Sequence, residues 1–274
     1  MVIGANNSKI LIKDGSFDVN QISDYHLSIE LGKKNVSYCI IDPKKHRCLL
    51  LFSKDYDFEN LFSFINNDNF ITKRFFSKSI AIANFPNTLV PIELYNEKDK
   101  EKLFELNHIP NDIILTDNLK NEIVNIYSIP KLIYQTINNL IPEAKLNAQS
   151  SVLINNFLNY NQMKETMFLY LKESFVNIII TKNEKLLFQN KFEYKTKEDL
   201  LFYVLFCIQQ NNMSNEEIKT IVFGNIKKEE FNILYDYIRN IEYGNKLKDI
   251  SCGNEFSSIQ EHCYNILFRQ YLCV

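Results

Sequence analysis

Two stretches of the chain, 140 residues apart from Leu27 to Met167, carry the same pattern of alternating apolar and polar residues. In the first stretch Leu27, Ile29 and Leu31 alternate with polar neighbours, as in a strand with one buried face. A turn follows, and two further strands are predicted at 36–40 and 48–52. The second stretch aligns at a constant offset: Leu27 with Met167, Glu30 with Tyr170, Gly32 with Lys172, Val36 with Val176, Tyr38 with Ile178 and Ile40 with Ile180. One recurrence at so long a spacing favours two copies of a supersecondary plan over a solenoid.

A helix and a further strand are predicted after each three-stranded meander. Asp57 is well placed to cap the first helix, and Thr196 with Asp199 three residues later forms a capping box before the second. The alternative explanation is coincidence, since short hairpins with alternating residues are common. The elements predicted after the meanders are helices at 58–65, 97–106, 130–140, 200–208 and 227–238 and strands at 71–75, 80–84, 112–116, 122–128 and 220–223.

This element order predicts an α/β chain of two duplicated βββαβα halves, as in ribonuclease H-like domains. We predict an irregular N-terminal arm at 1–24, a first half at 25–160 and a second half at 161–274. Residues 240–274 show no clear periodicity, and we assign no structure to them.

The charge balance argues against nucleic acid as a partner. Lys and Arg number 31 against 33 Asp and Glu, so no broad positive field is available to attract phosphates. The apolar runs are far shorter than the roughly 20 residues that span a bilayer, and the first residues lack a signal-peptide pattern. We therefore expect a cytoplasmic protein with no membrane span, whose oligomeric state the sequence does not indicate.

Motifs for metals and for common cofactors are incomplete. The six cysteines include no C-x-x-C pair, and the four histidines are scattered. His46 lies two residues from Cys48, and His262 precedes Cys263, but neither group completes a four-ligand set, so structural roles are favoured and no metal is predicted. The chain contains no P-loop, no dinucleotide fingerprint and no nucleophile elbow. No catalytic residue is predicted.

Two βββαβα halves form the plan of the superfamily of actin, sugar kinases and chaperone ATPases. The chain resembles, over most of its length, a bacterial family of unknown function with an actin-like ATPase fold. The resemblance rests on the residues 27–32 with the strand that follows, on 190–203, which is the most specific segment, and on 262–273. It implies an actin-like ATPase fold with a central cleft, and it implies little about activity because a fold does not determine a function.

The resemblance also identifies where a nucleotide site would lie. Active members of the superfamily carry Asp-x-Gly in the first turn of each half, where the carboxylate holds a hydrated metal and the glycine admits phosphate. Here the first half has Glu30 and Gly32, which keeps the spacing with a longer acid. The second half has Tyr170 and Lys172, and a lysine in an exposed hairpin is ordinarily just solvated. The adenosine motif Gly-Gly is half kept, as Gly224 before Asn225.

Two hypotheses follow. The first is a non-catalytic actin-like module that binds an unidentified protein partner as an adaptor and needs no cofactor, with a degenerate nucleotide site. The alternative is an ATPase or small-molecule kinase that binds Mg-ATP through Glu30, Gly32, Lys172 and Gly224. The loss of the second phosphate loop favours the first, so we expect that the chain is not an enzyme.

Overall fold

The computed structural model describes residues 9–120, 122–160, 163–245 and 249–271. Within these ranges the strands are β1 (Lys9–Lys13), β2 (His26–Leu31), β3 (Asn35–Asp42), β4 (Arg47–Asp55), β5 (Ser77–Ile82), β6 (Asn87–Pro91), β7 (Ile113–Leu119), β8 (Ile123–Ile129), β9 (Lys145–Ala148), β10 (Thr166–Lys172), β11 (Phe175–Lys182), β12 (Lys185–Glu193), β13 (Lys219–Gly224), β14 (Asn240–Tyr243) and β15 (Ser251–Cys252). The α-helices are α1 (Leu61–Asn66), α2 (Lys100–Glu105), α3 (Lys131–Leu140), α4 (Gln149–Leu158), α5 (Lys197–Gln210), α6 (Lys228–Tyr237) and α7 (Asn265–Tyr271).

The chain forms two compact units. The first contains the described residues of Met1–Val152, Lys248–Ser258 and Ile266–Val274, and the second those of Leu153–Leu247 and Ile259–Asn265. That the chain consists of two domains divided at residue 160 stays a prediction. The two compact units are bounded differently, because a C-terminal segment with α7 belongs to the first unit.

Five strands of each main sheet share the same topology. In the first unit the strand order is β1-β4-β3-β2-β5-β9, with β15 beside the start of β4. In the second unit it is β12-β11-β10-β13-β14. In both units the three meander strands pair antiparallel and the next two strands join in parallel. The predicted duplication of a βββαβα plan is thereby confirmed.

The duplication extends to single residues. β3 and β11 begin and end 140 residues apart, at Asn35–Asp42 and Phe175–Lys182. The pairing of β3 with β4 shifts register between Ile40 and Ile41, and that of β11 with β12 shifts between Ile180 and Thr181, again at the same offset. An irregularity at equivalent positions is a strong sign of common descent of the two units, because bulges are retained within families.

The first unit contains an insertion between β5 and α3. A three-stranded sheet of order β6-β8-β7 forms there, with α2 packed on it. Its own small core consists of Val90, Phe104, Val124 and Ile126, all buried. The predicted strands at 112–116 and 122–128 correspond to β7 and β8.

Three expectations need correction or completion. Residues 1–8 of the predicted irregular arm lie outside the described residues, but its described part is not irregular, because Lys9–Lys13 forms β1 and pairs antiparallel with β4, a partner more than thirty residues away. The predicted strand at 71–75 is absent, because the Asp68 carboxylate accepts hydrogen bonds from the backbone of Phe70 and Ile71 and holds this segment in turns. The unassigned C-terminal region contains β14, β15 and α7 among its described residues.

Candidate functional site

Polar residues lie where the parallel strands of the first sheet end. The end of β2 pairs with the end of β5, and β5 in turn pairs with β9, so their carboxyl ends share one edge. In open α/β sheets this edge is the usual position of ligand sites. Glu30, the predicted metal ligand, is the penultimate residue of β2 and lies at this edge.

Glu30 is almost fully buried, with 1% of its surface exposed. The Gln149 side-chain amide donates a hydrogen bond of 2.7 Å to its Oε1 atom. Gln149 comes directly after β9 and begins α4, so the strand order of the unit brings this amide to the carboxylate. The carboxylate is therefore bonded to a protein amide of its own unit.

A second buried carboxylate supports the start of α4. Asp117 accepts hydrogen bonds from the Ala148 backbone at 2.8 Å and from the Asn147 amide at 3.1 Å. Burial raises the pKa of Asp117, although these hydrogen bonds act in the opposite direction. Beside it, the Asn125 amide donates to the hydroxyls of Ser150 and Ser151 at 2.9 and 2.7 Å. This network fixes the strand-to-helix turn that carries Gln149.

Gly32 lies in the hairpin between β2 and β3. Its backbone N–H donates to Asn35 O at 2.9 Å, and its carbonyl accepts a hydrogen bond of 2.6 Å from the Tyr56 hydroxyl. Its φ angle is not in the left-handed region. The local backbone therefore does not itself demand a glycine at this position.

The equivalent hairpin of the second unit is built differently. Lys172 is the last residue of β10 and pairs with Phe175, and the two turn residues, Glu173 and Ser174, both have positive φ. Such a turn is the type I′ arrangement that suits the twist of a two-residue hairpin. The Lys172 side chain is buried, so the expectation of an exposed, solvated lysine was wrong. Tyr170 is buried in the same strand.

Gly224 is the residue for which glycine is structurally required. Its φ is +85°, and a Cβ atom there would lie 2.2 Å from Leu171 O. Leu171 O instead accepts a hydrogen bond of 2.8 Å from Asn225 N, and Gly224 N donates to His262 O at 3.0 Å. This close approach between the ends of the adjacent parallel strands β13 and β10 explains why β13 ends with Gly224.

The four predicted nucleotide-binding residues thus form two pairs, one in each unit. Glu30 and Gly32 are neighbours at the end of β2, and Lys172 lies beside Gly224 because Leu171 and Gly224 pair directly. That these residues bind a nucleotide stays a prediction.

Sequence reasoning missed an aromatic stack near Gly224. His262 stacks on Tyr243 with ring centroids 4.5 Å apart, and Tyr243 stacks on Phe231 at 3.8 Å. His262 is buried, which lowers its pKa, so the ring is neutral at pH 7. The three rings come from distant parts of the second unit, and no local sequence pattern joins them. Gln149 was missed for the same reason.

Helix α5 presents aromatic rings to solvent. Phe202 and Phe206 are 62% and 43% exposed and stack with centroids 5.8 Å apart. Phe202 also contacts Tyr203 edge to face, and Tyr203 stacks on Phe192 of the edge strand β12 at 4.6 Å. We call these four residues the aromatic row. The opposite side of α5, with Leu200, Val204 and Cys207, is buried in the core of the second unit.

No group of three potential metal ligands lies together among the described residues. In the same part of the chain, none of the helices has the length and apolar character needed to cross a bilayer.

His46 and Tyr271 are in contact, with the tyrosine hydroxyl 3.2 Å from Nδ1 of the imidazole. Cys273 lies outside the described residues.

Residues 14–241 match the model of a family described as protein of unknown function, DUF3822. Among solved structures, a Bacteroides thetaiotaomicron protein with an actin-like ATPase fold and unknown function is similar over 84% of this chain and 94% of its own, with 27% identity and a TM-score of 0.77. A chain of the PilM–PilN type IV pilus biogenesis complex is similar over 90% of this chain and 98% of its own, with 10% identity and a TM-score of 0.63. No curated protein matches the chain.

Proposed function

The chain belongs to the DUF3822 family and has an actin-like ATPase fold, and from this premise we propose that it is a non-catalytic module that binds another protein as an adaptor. We place this activity in the cytoplasm. The PilM–PilN complex offers an analogy for an actin-like fold in a protein assembly, and it supports the proposal only as a precedent of fold.

The observation that carries the proposal is the exposed part of the aromatic row, which is formed by Phe202 and Phe206 of α5. Two stacked phenylalanine rings in solvent cost free energy unless another surface covers them. Aromatic residues are enriched at the centres of protein interfaces, where they provide much of the binding energy. The two rings lie near β12, the outermost strand of the second sheet among the described residues, and a partner strand can add to a sheet at such an edge.

The state of the phosphate-loop positions favours the same proposal. Glu30 is engaged by Gln149, and Lys172 and Tyr170 are buried within the second unit. A phosphate needs backbone N–H groups that it can reach closely, and side chains at these positions oppose that approach. These contacts therefore favour a protein-binding role over hydrolysis of a nucleotide.

Replacement of Phe202 and Phe206 by Asp tests the proposal. We expect the double variant to lose a partner that the native protein retains in affinity capture from its own cells, because the two exposed rings that the partner covers are removed. The matched control is Phe76→Asp, which alters a ring that is 73% exposed in the first unit and lies outside the row. Repeated recovery of the native protein alone at low salt, or equal loss in both variants, would contradict the proposal.

A nucleotide-dependent enzyme is the second candidate. It is favoured by Glu30 at the carboxyl end of a parallel strand and by the retained Gly224–Asn225 turn before α6. In this candidate Glu30 would hold the hydrated Mg²⁺, Gly32 and Gly224 would admit the phosphates, and Lys172 would supply a positive charge. Binding of Mg-ATP distinguishes the two functions.

A further inference from the structure

Three of the six cysteines come together in the first unit, although they are distant in the sequence. Cys48 on β4 pairs directly with Cys252 on the parallel strand β15. On the other side Cys48 pairs with Ile41 of β3, so Cys39, two residues before Ile41, lies on the same face of the sheet. The Cys48 thiol is in hydrogen-bond contact with the thiols of both Cys252 and Cys39. We call the three cysteines the thiol cluster.

The three thiols differ in their access to solvent. Cys39 and Cys48 are fully buried, with 0% of their surface exposed, whereas Cys252 is half-buried. The contact with Cys252 lowers the pKa of the Cys48 thiol, but the contact with Cys39 and burial raise it, and the net pKa is well above its usual range. Cys48 is therefore protonated at pH 7, and an oxidant dissolved in water meets Cys252 first.

Strand geometry decides which pair of the thiol cluster can form a disulfide. A disulfide joins Cα atoms about 4.4–6.8 Å apart, and directly paired residues on neighbouring strands lie within that range. Cys48 and Cys252 are such a pair. Cys39 lies diagonally across from Cys48, an arrangement with a Cα separation of roughly 7–8 Å, which is too long without movement of the backbone. The geometry therefore selects Cys48 and Cys252.

The strand that carries Cys252 is short. β15 consists of Ser251–Cys252, and its pairing with β4 is accompanied by a hydrogen bond of 2.8 Å from Ser251 N to His46 O. A ladder of two residues opens locally at a lower free energy than the long ladders inside the sheet. A covalent bond between Cys48 and Cys252 would hold this segment of the chain on β4.

We propose that Cys252 and Cys48 form a peroxide-sensitive dithiol site, whose oxidation reversibly locks β15 onto β4. The proposed function does not enter this inference, which concerns a modification of the chain itself. Sulfenic acids that form beside a second thiol condense with it to a disulfide, and in reducing compartments such bonds are ordinarily transient and regulatory. The half-buried Cys252 is the thiol that reacts with the oxidant, and the buried Cys48 is the thiol that resolves the product.

The reaction balances in two steps. A hydroperoxide, ROOH, transfers one oxygen atom to the Cys252 sulfur, which becomes a sulfenic acid, and ROH leaves. The Cys48 sulfur then bonds to the Cys252 sulfur, and the Cys48 proton departs with the sulfenic hydroxyl as water. The two cysteines have lost two electrons and the peroxide has gained them. Two molecules of a small thiol restore both cysteines by exchange and leave as their own disulfide.

The first measurement is peptide mapping by mass spectrometry of the reduced full-length protein after treatment with hydrogen peroxide. We expect a new link between the peptides of Cys48 and Cys252, which dithiothreitol removes. A link from Cys252 to another cysteine would overturn the proposal. So would irreversible oxidation of Cys252 with no link, or an unmodified Cys252 under conditions that oxidise Cys263, which is also half-buried.

Single substitutions separate the two steps. Cys252→Ser should abolish the link, and this change is at a half-buried position, so the test stands even where a buried substitution impairs folding. Cys48→Ser should let the sulfenic acid accumulate, and dimedone should then label Cys252 at least about tenfold more than in the native chain. A folded Cys39→Ser protein should form the link at the native rate, and loss of the link in that variant would refute direct condensation between Cys48 and Cys252.

Thermal unfolding tests the lock. The linked native protein should melt at least about 4 °C above the reduced protein, because the disulfide joins positions far apart in the chain and constrains the unfolded state. Cys252→Ser should melt at the same temperature before and after peroxide. The matched control is Cys263→Ser in the second unit, whose Sγ lies 3.6 Å from Gly224 O, and it should keep the native shift. An unchanged melting temperature of the linked native protein would overturn the lock.

The outcomes separate this inference from the proposed function. Peptide mapping and thermal unfolding use the purified chain alone, so their failure removes the dithiol site and leaves the adaptor proposal intact. Failure of the capture experiment with Phe202 and Phe206 removes the adaptor proposal and leaves the link between Cys48 and Cys252 to be measured in the same way.

Discussion

Gly224 matches part of a functional motif and is also required by the local backbone structure. Its position before Asn225 resembles half of an adenosine motif, yet its positive φ and the closeness of Leu171 O already demand a glycine. The structural requirement is sufficient to explain the residue. A nucleotide role for Gly224 therefore needs evidence from binding and not from residue type.

We predict that Gly224→Ala destabilises the protein by at least about 2 kcal/mol, because it adds a backbone clash to a strained φ. Denaturant unfolding measures the loss. Gly15→Ala is the control, since the Cβ atom there would meet its nearest neighbour at an ordinary 3.5 Å. Similar stabilities for the two variants would show that the close contact between the ends of β13 and β10 relaxes without cost.

His26 is a buried imidazole that the sequence alone did not distinguish. Its Nδ1 lies 2.8 Å from the Ser77 hydroxyl, and its Nε2 lies 3.0 and 3.1 Å from those of Ser28 and Ser79. Burial lowers the pKa of His26 from 6.5 to about 4. The ring is therefore neutral in the folded state, while the unfolded chain takes up a proton as the pH falls below 6.5.

The free energy of unfolding should consequently fall as the pH is lowered from 6.5 towards 4. Because the pKa of His26 is lower in the folded state, its contribution to stability is fully present above pH 6.5, the pKa in the unfolded chain. That contribution decreases by about 1.4 kcal/mol for each pH unit below this value. His26→Gln should show a shallower slope between pH 6.5 and 5. His262 titrates in both proteins, so the difference between their slopes isolates His26. Parallel slopes would contradict a neutral buried His26.

At the scale of elements, the duplication is carried by strand pairing more than by residue identity. The pairing of β2 with β3 has the same register as that of β10 with β11. For example, Leu31 pairs with Val36, and Leu171 pairs with Val176. The helices that follow have diverged, since α5 is more than twice as long as α1. The strands β2, β3, β10 and β11 pair with a neighbour on both sides, whereas a helix on a sheet face can shorten without breaking the ladder.

The capping box at the start of α5 should contribute to the stability of the second unit. The Thr196 hydroxyl accepts a hydrogen bond of 3.1 Å from Asp199 N, and the Asp199 carboxylate accepts from Thr196 N at 3.0 Å. We predict that Thr196→Ala costs about 1 kcal/mol and lowers the melting temperature by about 2–4 °C. Gln209→Ala, an exposed change near the other end of α5, should have little effect. Thermal unfolding of both variants checks this.

At the scale of the whole molecule, the actin-like fold is retained while the residues at the equivalent hairpin turns after β2 and β10 differ between the two units. One loop has Glu30 and Gly32, and the equivalent loop has Tyr170 and a buried Lys172. Strand order and core packing do not depend on these loop residues, so the fold can persist when the loops change. This separation is why similarity of fold leaves the function as a proposal.

We predict that millimolar Mg-ATP does not raise the melting temperature of the protein. A ligand at several times its Kd stabilises the folded state by about 1 kcal/mol, which thermal unfolding detects. Glu30→Gln is the informative control. Stabilisation of the native chain that this variant abolishes would instead establish the nucleotide-binding candidate.

Local patterns in the sequence determined the meanders, the capping box of α5, the strands β7 and β8 and the α/β class. Alternation and caps act over a few residues, so they are visible without a partner segment. The same reasoning failed at 71–75, where the Asp68 carboxylate holds the backbone in turns, and at β1, whose partner is remote.

Tertiary structure alone decided what surrounds the candidate site. Gln149 meets Glu30 across 119 positions, and Gln270 bonds Ile29 O across 241. The burial of Lys172 and the stacking of His262 on Tyr243 likewise depend on which strands and helices become neighbours. Such contacts arise from chain closure and packing between distant segments, and no local periodicity encodes them.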